Sequence, residues 1–264
     1  MYKAVFLDLD GTLLDDDKNI SEENKEAIKY VKDKGGIICI ASGRQIESTK
    51  EFWNMIDSSR YIIYSNGGGI YDCFGNESIF SADIEKDICL NLYDYAISNN
   101  VCIRFDTPYG RYISDEKYLQ GRDILITENI NDFIFDNDIV QVSILSSEEQ
   151  PREKAIAYIN ENIPKTVKIE DVFFTGYSNE FYAINILNKN ASKGNAIYGL
   201  CKFLKIDIND VIAIGDGKND ISMIQTVGLG IAMENAVPEL KSVAKEIAGN
   251  CNESGVAKVL KVYL

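Results

Sequence analysis

Three short runs, Ala4-Val5-Phe6-Leu7, Ile37-Ile38-Cys39-Ile40-Ala41 and Val211-Ile212-Ala213-Ile214, are apolar at both odd and even positions. Side chains alternate faces along a strand, so a run of this kind has no polar face for water and must be covered on both sides. Central strands of a parallel sheet meet that requirement, because their crossover helices lie on both faces. Each run also ends in polar, glycine-containing sequence: Asp8-Leu9-Asp10-Gly11-Thr12, Ser42-Gly43-Arg44 and Gly215-Asp216-Gly217-Lys218-Asn219-Asp220. Open α/β sheets bind ligands beyond the carboxyl ends of their strands, so the pattern predicts an α/β fold and the place of its site together.

The segments between the runs have helical punctuation. Ser21 is placed to cap a helix reaching about Lys34, with Glu22 and Glu23 in its first turn, and Gly35-Gly36 ends it. A second helix is expected from Gln45 to about Ile56, then a third strand at Tyr61 to Tyr64 ending in Ser65-Asn66-Gly67-Gly68-Gly69. The C-terminal part alternates in the same manner, with a helix over Ser192 to Leu204, a strand at Val211 to Ile214, a helix after Asn219, a strand at Gly228 to Ala232, a short helix after Pro238 and a last helix from Ser254. Between these parts, alternating strands are expected near 101–105, 110–114, 139–145, 166–169 and 181–187, with helices near 84–98, 115–123 and 149–161. That alternation suits an antiparallel sheet with one covered face. The expected organisation is therefore a discontinuous domain, 1–82 and 186–264, interrupted by a second domain at 83–185.

Composition narrows the chemistry. The 264 residues carry a formal net charge of −14, which opposes binding to nucleic acid or an anionic membrane surface. An anionic substrate would need local help from a metal, a lysine or backbone amides. There is no histidine, so proton transfer falls to carboxylates. The six cysteines show no C-x-x-C spacing and fit reduced thiols in a cytoplasmic protein better than a zinc site or disulfide framework. No segment approaches the roughly 18 apolar residues of a membrane span, and the first strand begins too early to leave room for a signal peptide. A monomer or small homo-oligomer is expected.

Asp8 and Asp10, two residues apart at a strand end, point to the same side; the alternative is an ordinary Asp-Gly turn. Asp216 ends a second buried strand, and Asp220 stands in the following turn, where a helix start would also favour it. If both strands share one sheet, the four carboxylates crowd one volume and need a cation; a hard, oxygen-seeking divalent ion such as Mg²⁺ answers that need beside a phosphate. Lys193 stands at the start of a helix next to Ser192, where the dipole disfavours a cation, so it is either a site residue or a solvated lysine. Ser42 and Gly43 before a helix make a phosphate cradle or a plain cap. Arg44 either meets the ligand or pairs with a neighbouring acid.

In this order, Asp8-Leu9-Asp10-Gly11-Thr12, Ser42-Gly43-Arg44, Ser192-Lys193-Gly194 and Gly215-Asp216-Gly217-Lys218-Asn219-Asp220 resemble the four motifs of the haloacid dehalogenase superfamily. The insertion between the second and third, with Ala232-Met233-Glu234-Asn235-Ala236 and Gly255-Val256-Ala257, resembles its Cof-type (subclass IIB) phosphatases. The resemblance implies a Rossmann-like parallel-sheet core with an inserted α/β cap of C2B type. It implies a Mg²⁺-dependent phosphatase acting on small phosphorylated metabolites such as sugar phosphates, phosphorylated cofactors or nucleotide-like monophosphates, through an aspartyl phosphate. Asp8 would be the nucleophile, Asp10 the acid and base, Thr12 an orienting group, and Lys193 and Ser42 stabilisers of the phosphoryl group, with Gly43, Arg44 and Asn219 near the substrate. Asp8, the Asp10 carbonyl, Asp216 and Asp220 would hold the metal. Gln45, Asn185 and Ser254 depart from the family pattern without removing a catalytic group. Arg104, Arg111, Tyr109, Tyr112 and Tyr177 are candidates for contacting the substrate body, each with a packing or solvated alternative. A phosphomutase and a catalytically silent phosphometabolite sensor remain alternatives; dehalogenation needs neither the metal nor the second acid.

Overall fold

The computed structural model describes residues 2–56, 60–121, 123–175 and 180–263. In chain order these form β1 (Ala4–Leu7), α1 (Glu22–Asp33), β2 (Ile37–Ala41), α2 (Ile46–Met55), β3 (Tyr61–Tyr64), β4 (Gly69–Asp72), β5 (Glu77–Ser81) and α3 (Lys86–Ser98). There follow β6 (Cys102–Thr107), β7 (Gly110–Ile113), β8 (Ile124–Leu125), α4 (Ile130–Asp136), β9 (Gln141–Ser146), α5 (Glu149–Asn162), β10 (Val167–Thr175) and β11 (Glu180–Asn188). The last are α6 (Lys193–Leu204), β12 (Val211–Gly215), α7 (Ile221–Thr226), β13 (Leu229–Ala232), α8 (Pro238–Lys241), β14 (Glu246–Ile247) and α9 (Gly255–Tyr263). The chain divides into two compact units, Met1–Phe80 with Ala191–Leu264, and Ser81–Asn190. The junction expected at 185/186 falls inside β11, whose ladder with β9 runs unbroken from Tyr182 to Leu187.

The first unit is built on a sheet ordered β14-β13-β12-β1-β2-β3-β4-β5. Every pair from β14 to β3 is parallel, and β4 turns back antiparallel on β3. β1, β12 and all but the first residue of β2 are buried, which is why their sequences are apolar on both parities. The chain winds outward from β1 through β2 and β3 on one side and enters β12, β13 and β14 on the other. The reversal opens a crevice at the carboxyl ends of β1 and β12, where such sheets take ligands.

Helix caps follow the expected chemistry. The Ser21 hydroxyl accepts from the Asn24 N–H ahead of α1, and the Ser192 hydroxyl accepts from the Asn195 N–H ahead of α6. Asn24, buried inside α1, accepts the Ala257 N–H at 2.9 Å and thereby ties α9 to α1. The β4–β5 hairpin was not anticipated, because β5 is largely exposed and carries no apolar run.

The second unit holds a sheet ordered β10-β11-β9-β6-β7-β8, antiparallel except for the short β7–β8 pair. Ile103, Phe105, Val142, Ile144, Ile184 and Ile186 line one face and join a core with residues of α3, α4 and α5. The opposite parity carries a buried polar row in which Arg104 donates to Asp106 and Ser143, Gln141 to the same two residues, and Ser143 to Asn185. The helix expected at 115–123 is only a 3-10 turn at Glu116–Tyr118 followed by β8, while α4 arises from a segment without a strong apolar period.

Close backbone approach between α6 and α7 sets one demand. A Cβ on Gly194 would lie 2.4 Å from the Ser222 carbonyl oxygen, and the Gly194 N–H donates to the Ser222 hydroxyl at 3.1 Å. Helix propensity alone would reward Gly194→Ala by about 1 kcal/mol, whereas overpacking against backbone costs about 1–3 kcal/mol. Gly194→Ala should therefore lower stability by about 1 kcal/mol net in a chemical denaturation curve; a raised midpoint would show that α6 and α7 separate freely.

Candidate active site

β1 lies between β12 and β2, so the residues following these three strands share the same end of the sheet. The Asp8 N–H still donates to Ile214 at 3.1 Å and the Ser42 N–H to Ile63 at 2.9 Å, extending the ladders to the site itself. Carboxylate oxygens of Asp8, Asp216 and Asp220 all lie within 4.8 Å of one another. Two glycines make that crowding possible. A Cβ on Gly11, at φ +74°, would sit 2.4 Å from Asp216 Oδ2, and a Cβ on Gly215 would sit 2.6 Å from the Asp220 side chain.

Lys193 enters this cluster from the first turn of α6. Its ammonium is fully buried and donates to Asp8 Oδ1 and Asp220 Oδ1, each at 2.6 Å. Burial would lower its proton affinity, but the Asp8 and Asp220 charges outweigh that and raise it, so it stays charged. The solvated-lysine alternative is thereby excluded. Asp220 Oδ2 also accepts the N–H groups of Asp216 and Gly217, both at 2.9 Å. Burial first, then Lys193 and Asp220 in opposition, set Asp8, whose carboxyl is pushed up to about 8. Asp216 is raised as well, by burial and by Asp220.

When ionised, three carboxylates facing one ammonium leave two negative charges uncompensated. The donor set is oxygen only, compact and fed by short loops, which fits a hard divalent cation such as Mg²⁺. Asp8, Asp216 and Asp220 are the side chains that would hold it.

Other expected residues have partners of their own. Thr12 is buried and donates from its hydroxyl to Asp216 Oδ1 at 3.1 Å, so it orients Asp216. The Asp10 carboxylate lies outside the cluster of three: Arg44 grips it through Nε and a terminal nitrogen, each at 2.7 Å, and Lys18 adds a contact at 3.0 Å. Burial alone would raise the Asp10 carboxyl; the hydrogen bonds from Arg44 and Lys18 prevail and lower it. Arg44 thus pairs with a neighbouring acid, and its guanidinium also lies over the Phe52 ring. Buried Ser42 accepts the Arg44 N–H at 3.1 Å. Gly43 is held against Asn66, whose Oδ1 a Cβ would meet at 2.8 Å, and Asn219 donates to that same oxygen at 2.8 Å. Sequence reasoning missed Lys18 and Asn66. The signal for Asn66 was present in Asn66-Gly67, a pair suited to left-handed backbone.

In the second unit, Arg104 is committed to Asp106 and Ser143, the Arg111 Nε lies 2.7 Å from Asp123, Tyr112 packs its ring on Phe133, and Tyr109 is exposed. Tyr177 lies outside the described residues. All six cysteines are free thiols. Among the described residues, no helix is long and apolar enough to cross a membrane.

Comparison with known proteins agrees with this geometry. The family model of haloacid dehalogenase-like hydrolases matches residues 5–260. YxeH of Bacillus subtilis is 29% identical, the alignment covering 98% of this chain and 97% of that protein. The 5-amino-6-(5-phospho-D-ribitylamino)uracil phosphatase YwtE of the same organism is 30% identical over 97% of this chain and 96% of its own. Among solved structures, TM0651 of Thermotoga maritima superposes with a TM-score of 0.83 at 23% identity, covering 99% of this chain and 97% of that one. The subclass IIB sugar phosphatase BT4131 gives 0.75 at 21% identity, with 99% and 98% covered. The chain belongs to the haloacid dehalogenase-like hydrolases, as a phosphatase of Cof type.

The raised carboxyls of Asp8 and Asp216 have a consequence for stability. Between the ordinary aspartate value near 3.8 and about 8, folded Asp8 holds a proton that the unfolded chain has released, and Asp216 is shifted in the same direction. Stability in chelator should therefore fall as pH rises across that window. Asp10, shifted the other way, contributes stability that is lost only as pH drops below its ordinary range. Denaturation midpoints in EDTA should be lower at pH 8 than at pH 6, and Mg²⁺ should remove most of the difference. Equal midpoints in EDTA would contradict the arrangement.

Proposed function

We propose that this protein is a Mg²⁺-dependent phosphatase that hydrolyses small phosphorylated metabolites through an aspartyl phosphate on Asp8. One observation carries the reading: Asp8, Asp216 and Asp220 converge around the buried Lys193 ammonium at the switch point of the sheet. Mg²⁺ would supply charge neutralisation for the phosphoryl oxygens there.

The chain's own groups supply the remaining steps. A carboxylate oxygen of Asp8 forms a bond to phosphorus as the ester oxygen leaves, and Asp10 gives that oxygen a proton. Lys193, fixed 2.6 Å from Asp8, neutralises charge as it spreads over the equatorial oxygens, and Ser42 and the amides after β2 take part of the same load. Water then attacks phosphorus, Asp10 takes its proton, and the bond to Asp8 breaks to release inorganic phosphate. Asp10 is ionised while Arg44 and Lys18 hold it, so its turn as a donor requires Arg44 to be drawn off. A bound phosphate monoester is the anion suited to do that.

The substrate body is proposed to be small and hydroxylated: a sugar phosphate, a phosphorylated cofactor or a nucleotide-like monophosphate. YwtE, which acts on a phosphorylated ribityl compound, and the sugar phosphatase BT4131 support that class. The net charge of −14 speaks against nucleic acid as the partner, and six free cysteines suit the cytoplasm.

Phosphate release from a panel of sugar phosphates, flavin mononucleotide and pyridoxal phosphate tests the reading. Release should require Mg²⁺ and stop in EDTA, and Asp8→Asn should lower it at least about 10³-fold while keeping a cooperative unfolding transition. Phosphoryl return to substrate without net release would favour a mutase, and ligand binding with no turnover a sensor.

A further inference from the structure

The turn after β3 is the conspicuous feature that the steps above leave unused. Ser65, Asn66 and Gly67 take φ of +47°, +55° and +87° in succession. Left-handed backbone costs about 1 kcal/mol or more per non-glycine residue, so two such residues in a row require compensation. The compensation comes from the site. The Ser65 N–H donates to the Arg44 carbonyl at 3.0 Å and the Asn66 N–H to the Ser42 carbonyl at 3.1 Å. A Cβ on Gly67 would lie 2.1 Å from the Ser192 carbonyl oxygen and 2.8 Å from the Lys193 nitrogen, so the turn also abuts the start of α6. The buried Ser65 hydroxyl has no hydrogen-bond partner among the described residues, although burial of a hydroxyl ordinarily demands one.

Asn66 closes the arrangement. Its Oδ1 accepts from Asn219 Nδ2 at 2.8 Å, across 153 residues of sequence, and sits against Gly43. The opposite end of the Asn219 carboxamide turns back over Gly217, where an added Cβ would lie 2.5 Å from Asn219 Oδ1. The Asn66 bond orients this exposed amide, and one Nδ2 hydrogen remains beyond it.

Resting on the phosphatase reading above, we infer that Asn66 is a positioning residue for phosphoryl transfer, which orients the Asn219 carboxamide so that its remaining amide hydrogen serves the phosphoryl group. The strained turn is the device that delivers it. Asparagine suits the position twice over, because it tolerates left-handed backbone and offers a short, fixed carbonyl oxygen.

A double-mutant cycle tests this. Asn66→Gly keeps the left-handed turn and deletes the acceptor; Asn219→Ala deletes the donor. Each should lower kcat/KM about tenfold or more, as expected for loss of a hydrogen bond to a charged group. The double variant should be no worse than Asn219→Ala alone, and Asn66→Asp, which retains an acceptor oxygen, should restore kcat to within about threefold of wild type. Affinity for inorganic phosphate in the presence of Mg²⁺, measured by calorimetry, should follow the same pattern without turnover. Wild-type rates in Asn66→Gly, or losses that multiply in the double variant, would overturn the inference and leave the phosphatase reading intact. A wild-type protein that hydrolyses no ester would instead overturn that reading, and the phosphate affinities would then decide for or against Asn66.

Discussion

Repulsion among three aspartates is the constraint on which the rest of the structure turns. Asp8, Asp216 and Asp220 are driven together because β1 and β12 are hydrogen-bonded neighbours whose ends lie level, Leu7 opposite Ile214. Left alone, the cluster would take up protons or push its loops apart. Lys193 relieves part of the charge at the expense of burying an ammonium completely, a placement sustained by two charged hydrogen bonds. The surrounding glycines serve the same end. Gly11 and Gly215 let the carboxylates approach, while Gly67 and Gly194 let the backbone that carries Lys193 seat closely. A site of this kind is electrostatically unfinished, and a divalent cation would supply the positive charge that completes it.

Much of this was legible in the sequence because it depends on local spelling. A strand buried on both faces must be apolar at every position, so β1, β2 and β12 declared themselves, and the polar residues that end them declared the site. Ser21 and Ser192 announced the starts of α1 and α6 through ordinary capping chemistry. Lys193 stood out because it sits where the helix dipole opposes it.

What escaped depends on contacts that local spelling does not reveal. Nothing local marks Lys18 as a ligand of Asp10, or decides that Arg44 closes on Asp10 rather than standing free for substrate. Asn66 meets Asn219 only because β3 and β12 belong to one sheet. In the second unit, β8 is two exposed residues and α4 fewer than three turns, both held by tertiary contacts rather than by a period of their own. Its polar row of Arg104, Asp106, Gln141, Ser143 and Asn185 is likewise a product of strand register: each residue looks like a solvated surface group until the ladder aligns it with the others.

On the phosphatase reading, the carboxylate cluster would receive a divalent cation beside the Asp8 nucleophile. An anomalous difference map from crystals equilibrated with Mn²⁺ as a Mg²⁺ surrogate tests it most directly. The strongest peak should lie about 2.2 Å from carboxylate oxygens of both Asp8 and Asp216. A protein saturated with Mn²⁺ whose peak lies elsewhere, or whose aspartates remain bridged by Lys193 alone, would contradict it.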